Sequence, residues 1–588
     1  MPLVGVKGVI EVGAAIQIAV GISGVLRASG QRGPAFASTA DALGILGTCA
    51  LLVQFDVRRL TAGVYRTGDV SQPQESKVRY LRDGKTATIS VVETRGIVAI
   101  ATNGKPDAAI MMAPNINAVE MDEVTMVLAA ALPVSMHSHP QRVANIGIGS
   151  GLTTHTLLSS PRVHSVDSIE IEPLKVEAAR LGFYPRNRNL FDDSRSHIYL
   201  EDAKTFFSLQ HEGYDVIVAE PSNPWVSGVA TLFSQEFYSR VKRYLKPDGI
   251  FVQWLQIYET HMTVVASIVS SPSANFADYA IYNVDYSNLL IVATQHTPLP
   301  EPGASIFAEA GLRDELNHVG VRNLADLESR HLGHKRTVDS LIASYGSPAN
   351  SHYFPFVDLN APRLRFMQRS AVELPSTLLL PMPMIEMLSA REANAATVPT
   401  TVVDTDLASA HAAAIDAAFV RSSTEALERS TASDVLAIQI DEASCKIAGA
   451  DAVWRNAVRS IADVIANKLP PEARRRIWGK IESAACATHA NVETRNWLTL
   501  LEAVATRDAV AMREAAQVLL RSPAMLRGPA DLAYVVTAQA LAEVRMGKEQ
   551  EATRLLKQHY GPVELPQALE LPIRWLRACA ASNACVKR

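Results

Sequence analysis

The segment DVIVAEPSNPW, Asp215–Trp225, begins as a strand and ends as something else. Val216, Ile217 and Val218 form the short, continuous, β-branched run that a parallel sheet buries on both faces. A carboxylate, two prolines, a serine, an asparagine and a tryptophan follow at once. Packing alone gives no reason to set Glu220 at the mouth of such a strand. In open α/β sheets ligands bind outside the carboxyl ends of the strands, which makes Glu220 a candidate functional residue.

Outward from this segment, strands and helices alternate. RVANIGIG from Arg142 reads as a strand running into glycines, followed by a helix, LTTHTLL. VHSVDSIEI is a strand, and PLKVEAARL a helix with proline at its first position. HIYLED, AKTFFSL and YDVIVAE continue the series, then the amphipathic helix SQEFYSRVKRYL and the strand IFVQWLQ. The pattern predicts a doubly wound parallel sheet of the α/β class. LLIVAT, Leu289–Thr294, is expected as the edge strand that closes it.

Upstream, Tyr80 to Ala109 predicts a small antiparallel β unit with Asn-Gly turn chemistry, and Asp122–Leu132 a helix closed by Pro133. From about Val402 the chain is Ala-rich and helical; its last pair faintly suggests a tetratricopeptide-like hairpin, but no sharp period supports more than a generic helical domain.

The 588 residues exceed one ordinary core, so two to four domains are expected. Lys plus Arg (56) against Asp plus Glu (60) gives a net charge of −4, which offers no basic stripe for nucleic acid. The five cysteines lack C-x-x-C spacing, which argues against a disulfide scaffold and against a metal site; Cys579 and Cys585 read as neighbouring inert thiols. Val9–Leu26 is apolar and approaches the roughly 20 residues that a bilayer requires. A second run, Ala42–Phe55, is short for a span. Without a basic cluster at the start, a signal peptide fits poorly, and membrane association is preferred to a pair of buried helices.

NIGIGSGL sets Gly147, Gly149 and Gly151 between a strand and a helix, where backbone can approach a ligand and the helix N-terminus adds a positive dipole end. The next strand ends IEIE. Glu172 falls where such folds hold ribose hydroxyls, and Glu170 shares its face as a supporting partner. Asp202 opens the helix after the third strand, either as its N-cap or as an acceptor for an adenine amino group. With Glu220, three consecutive strand ends carry carboxylates, which suits a cationic or hydroxyl-rich ligand.

The glycine loop, IEIE, LED and YDVIVAEPSNPWVSGVATLFSQEFY…LKPDGIFVQWLQIYE resemble the polyamine aminopropyltransferase (spermidine synthase) superfamily. More closely they resemble its bacterial membrane-fused branch, over roughly Asp56 to Arg363. The resemblance implies a methyltransferase-like Rossmann domain behind a small N-terminal β domain. It leaves the C-terminal helices uncovered. Expected boundaries are 1–56 for apolar, membrane-associated helices, 57–132 for the β domain with its linking helix, 133–370 for the Rossmann-like domain and 371–588 for an all-helical domain. The resemblance also implies that Gly147, Gly149 and Gly151 line the nucleoside site, Glu172 holds the ribose and Asp202 the adenine. Glu220 stands where the family has its catalytic aspartate, and Asn223 where it has a second, diamine-binding aspartate. The family's Tyr-His-Glu motif is replaced by Thr125, Met126 and Val127.

The implied reaction moves an aminopropyl group from decarboxylated S-adenosylmethionine, a co-substrate rather than a bound cofactor, to a small-molecule amine. Alkyl ammonium groups have pKa values near 10, so a carboxylate must attract the cation and then help to deprotonate it. Glu220 suits both tasks, with Trp225 walling the pocket. Losing the second carboxylate should weaken binding of a dication and favour a monoamine or a less charged acceptor. Two rivals remain: a methyltransferase using S-adenosylmethionine, and a non-catalytic nucleoside or polyamine sensor. The expected setting is a membrane-associated chain with a cytoplasmic catalytic domain, and a homodimer is compatible with it.

Overall fold

In the computed structural model the described residues are 5–29, 41–48 except 43, 56–209 except 115 and 117, 213–389, 406–421, 427–522 except 440, 448 and 467, 526, 528–560, 567–582 and 585. Most of the second apolar run, Ala42–Phe55, therefore lies outside them. The chain divides into two compact units. One comprises 1–127 and 141–210, the other 128–140 and 211–588, so the expected Rossmann-like segment is shared between them.

The first unit opens with the helix Gly5–Ser29. Four strands follow, β1 (Lys77–Asp83), β2 (Thr88–Thr94), β3 (Ile97–Thr102) and β4 (Lys105–Met111), as an antiparallel meander. The Arg95-Gly96 and Asn103-Gly104 turns hold left-handed φ angles of 52°, 85°, 51° and 78°, the geometry that matches the twist of two-residue hairpins. Ile89, Val91, Val98, Ile100 and Ile110 are fully buried on one face. The helix Pro173–Phe183 packs there at Gly182, where a Cβ would come within 3.1 Å of Val91 Cγ1. Three parallel strands, β5 (Arg142–Ile146), β6 (Ser165–Glu170) and β7 (Ser196–Leu200), complete this unit in the order β5-β6-β7.

In the second unit β8 (Tyr214–Ala219) is buried throughout and runs parallel to β9 (Leu245–Gln256). Beyond β9 come β11 (Asn288–Thr294), β10 (Asp278–Asn283) and β12 (His331–His334), all antiparallel. LLIVAT is therefore interior rather than the edge; β10, with polar residues at both ends, and the short β12 cover it. The helix Met121–Met136 also runs past Pro133, against the expected stop. His137 N–H donates to the Pro133 carbonyl at 2.9 Å, so the final turn closes although proline offers no N–H of its own.

The tail is helical, as expected. Val492–Thr506, Ala509–Arg521, Pro529–Arg545, Glu549–His559 and Gln567–Ser582 each pack on the next. The last docks on helix Lys335–Ala343, with Trp575 Nε1 donating to the Thr337 carbonyl at 2.8 Å. The cystine Cys579–Cys585 corrects the reading of that pair as inert thiols, and Cys445–Cys486 the expectation against disulfides. Residues 41 apart in sequence meet through folding, which C-x-x-C spacing cannot register.

Candidate active site

In the first unit the loop after β5 turns on Gly147, Gly149 and Gly151, with φ of 91°, 54° and 87°. A side chain is strained at such angles. At Gly151 a Cβ would also land 2.5 Å from Leu190 Cδ2. Two groups clamp the loop. Asn145 Nδ2 donates to the Gly147 carbonyl at 3.2 Å, and Ile148 N–H donates to Glu170 Oε2 at 3.1 Å.

Glu170 is the last residue of β6, and its other oxygen accepts from Glu172 N–H at 3.0 Å. Glu170 thus braces the glycine loop and the Glu172 backbone at once. Glu172 itself was placed at the strand end, whereas it stands two residues beyond and caps the helix Pro173–Phe183. Its Oε1 accepts from Leu174 N–H at 3.2 Å, while Oε2 accepts from Thr86 N–H at 2.7 Å and Thr86 Oγ1 at 2.8 Å. A Cβ on Gly84 would sit 2.2 Å from Oε1, so the β1–β2 turn closes on the carboxylate. Burial opposes ionisation of Glu172, but the hydrogen bonds from Thr86, Leu174 and Ala87 outweigh it and hold its pKa below the ordinary value.

Below this turn Asp107 bridges Lys105 Nζ at 2.8 Å and Lys175 Nζ at 2.7 Å. Burial works against the Asp107 charge, yet the two lysines drive its pKa far down. Asp202 caps helix Ala203–Ser208, accepting from Lys204 N–H at 2.9 Å and Thr205 N–H at 3.2 Å.

In the second unit Glu220 follows β8, half-buried, with Oε1 shielded from solvent. Asn223 is fully buried; its Nδ2 donates to Tyr258 Oη at 2.9 Å. Trp225 is buried, and the Arg365 guanidinium stands 4.3 Å over its ring. Cation–π contact of this kind holds an aromatic wall in place. Because β8 and β9 are parallel, with Ala219 opposite Gln253, both strands end at one sheet edge. Gln253 Nε2 reaches the Ala219 carbonyl at 3.3 Å. At this edge Asn223 Oδ1, Gln253 Oε1 and Thr260 Oγ1 are buried without a hydrogen-bond partner among the described residues. Sequence reasoning missed Gln253, Tyr258 and Arg365 at this edge, although the first two lie in a stretch, QWLQIYE, already singled out.

At the opposite edge His137, Asp215 and Asp248 form a donor set of the kind that metals use. His137 Nδ1 accepts from His139 N–H at 3.1 Å, which leaves the ring proton on Nε2, and Lys246 Nζ takes Asp215 at 2.8 Å. Burial keeps the His137 pKa below its ordinary value. The ion pair of this cluster is Lys246 with Asp215, and His137 stands beside it uncharged.

Residues 124–295, which include both the glycine loop and the EPSNPW loop, match the spermine/spermidine synthase domain. Polyamine aminopropyltransferase of Aeropyrum pernix is 25% identical over 270 residues, 44% of this chain and 84% of that protein. The aminopropyltransferase of Alkaliphilus oremlandii is 31% identical over 121 residues, 21% of this chain and 42% of the relative. Putrescine N-methyltransferase 2 of Nicotiana tabacum is 29% identical over 141 residues, 24% of this chain and 39% of the relative. For these last two, the chain spans less than half of the relative's length.

Proposed function

We propose that the synthase domain is an aminopropyltransferase, moving the aminopropyl group of decarboxylated S-adenosylmethionine to an amine. The observation that carries this reading is the family match across 124–295, which takes in the glycine loop and Glu220 together. In the reaction the amine nitrogen forms a bond to the carbon beside the sulfonium. The C–S bond breaks, and sulfur leaves with the electron pair as neutral methylthioadenosine. The attacking ammonium must shed a proton; Glu220 attracts the cation and accepts that proton, a role worth about 10²–10⁴ in rate. Gly147, Gly149 and Gly151 admit the nucleoside, Glu172 with Glu170 beside it takes the ribose, and Asp202 the adenine. Asn223 orients the acceptor, and Trp225 walls its pocket.

Methyl transfer on the same fold is the second reading, favoured by the similarity to a putrescine N-methyltransferase. The donor separates the two. Decarboxylated S-adenosylmethionine should raise the protein's Tm at concentrations where S-adenosylmethionine does not; the reverse order would favour methyl transfer.

The reading includes a membrane tether, in keeping with the membrane-fused branch. Lys7–Gly24 is long and apolar enough to cross a bilayer, with mean hydropathy 1.3, and none of it is buried. A chain starting near Thr61 should stay in solution without detergent and keep its donor binding, while the full chain should fractionate with membranes. Full-length protein that stays soluble without detergent contradicts the tether. A cytoplasmic catalytic domain suits the proposed chemistry, but the two cystines run against it, because disulfides rarely persist in reducing compartments. Labelling of Cys445 and Cys486 in intact cells decides: free thiols support the cytoplasmic placement, and a retained cystine opposes it.

A further inference from the structure

Residues 353–369 of the second unit leave large apolar side chains in solvent. Tyr353 is 95% exposed, Phe366 74% and Leu359 60%, and Phe354 and Met367 are exposed as well. Single exposed apolar residues are ordinary, whereas a run of them in one short segment marks an interaction surface.

The helix Phe356–Arg365 sorts these groups by face. Val357 and Ala361, one turn apart, are buried. Leu359, Arg363 and the C-cap Phe366 fall at i, i+4 and i+7 on the other side, and all three are exposed. The face is braced from beneath, so its side chains cannot simply fold away. The Arg365 guanidinium lies 5.0 Å over the Phe366 ring and 4.3 Å over that of Trp225. Val357 N–H donates to Asn350 Oδ1 at 3.1 Å, and Thr260 N–H to the Arg369 carbonyl at 2.9 Å.

Charge decides which partner suits this face. Residues 353–369 hold Arg363, Arg365 and Arg369 against a single acid, Asp358. A symmetric contact between two copies would lay the patch against itself and bring the arginines of both together. An anionic bilayer instead offers a phosphate to each arginine and an apolar layer below for the rings and aliphatic chains. Tyr353 suits the headgroup level, where aromatic rings with a polar tip collect.

We infer that this face seats the second unit on an anionic membrane surface. Leu359, Phe366 and Met367 reach the acyl boundary, and Arg363 and Arg369 pair with lipid phosphates. The inference goes beyond the tether proposed for Lys7–Gly24 and does not need it. A span fixes the chain to a bilayer, whereas this face fixes which side of the unit carrying Glu220 meets it.

For the test, full-length protein is bound to vesicles of phosphatidylcholine alone or with phosphatidylglycerol, and amide hydrogen exchange is read by mass spectrometry. Over 353–369 exchange should be about tenfold slower on the anionic vesicles, as attraction of the arginines to a negative surface allows. Arg363→Glu with Arg369→Glu should abolish that difference, and so should Phe366→Ser with Met367→Ser. Both pairs should keep the wild-type Tm, because the replaced side chains stand in solvent. Equal exchange on the two kinds of vesicle, or protection that both variant pairs retain, overturns the inference. So does protection that rises with protein concentration in lipid-free detergent, which would assign the face to a second copy. Exchange over 7–24 is read in the same experiment. Protection there without protection at 353–369 keeps the tether and removes this face; the reverse removes the tether and leaves the face standing.

Discussion

In the first unit Glu170, Glu172 and Asp202 have their carboxylates engaged by backbone N–H groups of the glycine loop, the β1–β2 turn and two helix starts. In the second unit the end of β8 and the segment after β9 gather Asn223 Oδ1, Gln253 Oε1 and Thr260 Oγ1, buried and without such partners among the described residues. Buried polar atoms in native proteins are nearly always satisfied, so each exception calls for an explanation. On the proposed assignment the donor side has its three carboxylates held by backbone, although Asn145 Oδ1 and Asn187 Oδ1 beside the glycine loop are likewise buried without a hydrogen-bond partner among the described residues. The acceptor side leaves Asn223 Oδ1, Gln253 Oε1 and Thr260 Oγ1 for a ligand. Substrate choice should then be more open to mutation on the acceptor side, and donor affinity more closely tied to local folding.

The largest expected effect is at the boundary between the two roles. Glu220→Gln keeps the shape of the side chain and removes its charge, so turnover should fall by about 10²–10⁴ while donor affinity is unchanged. Wild-type activity in this variant would remove Glu220 from the mechanism.

Glu172→Ala and Asp202→Ala should each raise the donor dissociation constant by one to two orders of magnitude, because a hydrogen bond to a charged group contributes about 1.5–3 kcal/mol. Glu172→Ala carries an added cost. It frees Thr86 N–H and Oγ1 together, so the β1–β2 turn should exchange amide hydrogens faster, whereas Asp202→Ala should loosen only the start of helix Ala203–Ser208. Unchanged donor affinity in calorimetry would reduce both acids to helix caps.

The smallest effect sharpens the acceptor side. With Asn223 as the only adjustable group, Asn223→Asp would improve use of 1,4-diaminobutane by roughly tenfold, or about 1.4 kcal/mol. The new carboxylate forfeits the Nδ2 donor that Asn223 gives to Tyr258, which sets against part of that gain. No gain in kcat/KM from the aspartate would mean that the pocket draws its second negative charge from elsewhere.

Much of this was legible in the chain. Glycines before a helix, carboxylates after β-branched runs and Asn-Gly between strands are local signals, and they located the glycine loop, Asp202, Glu220 and the β3–β4 turn. The strand end at Glu170 was misjudged by two residues because IEIE alternates without a break, and Pro173 fixes where the helix begins but not where the strand stops. Other features arise only in three dimensions. The turn around Thr86 reaches Glu172 across 86 residues, the cystine Cys445–Cys486 spans 41, and the left-handed φ of Glu259 is imposed by Ser287, Arg369 and Ala371. The buried position of LLIVAT depended on recognising β10 and β12, whose short or polar-ended sequences give a weak strand signal.

The central claim is the identity of the transferred group, and product mass spectrometry tests it most directly. Full-length protein is incubated with a panel of amines and, in parallel, with decarboxylated S-adenosylmethionine or S-adenosylmethionine. Methylthioadenosine and an amine heavier by one aminopropyl group are expected, formed only with the decarboxylated donor and lost in Glu220→Gln. A methylated amine formed from S-adenosylmethionine, or no product from either donor despite tight nucleoside binding, would contradict it.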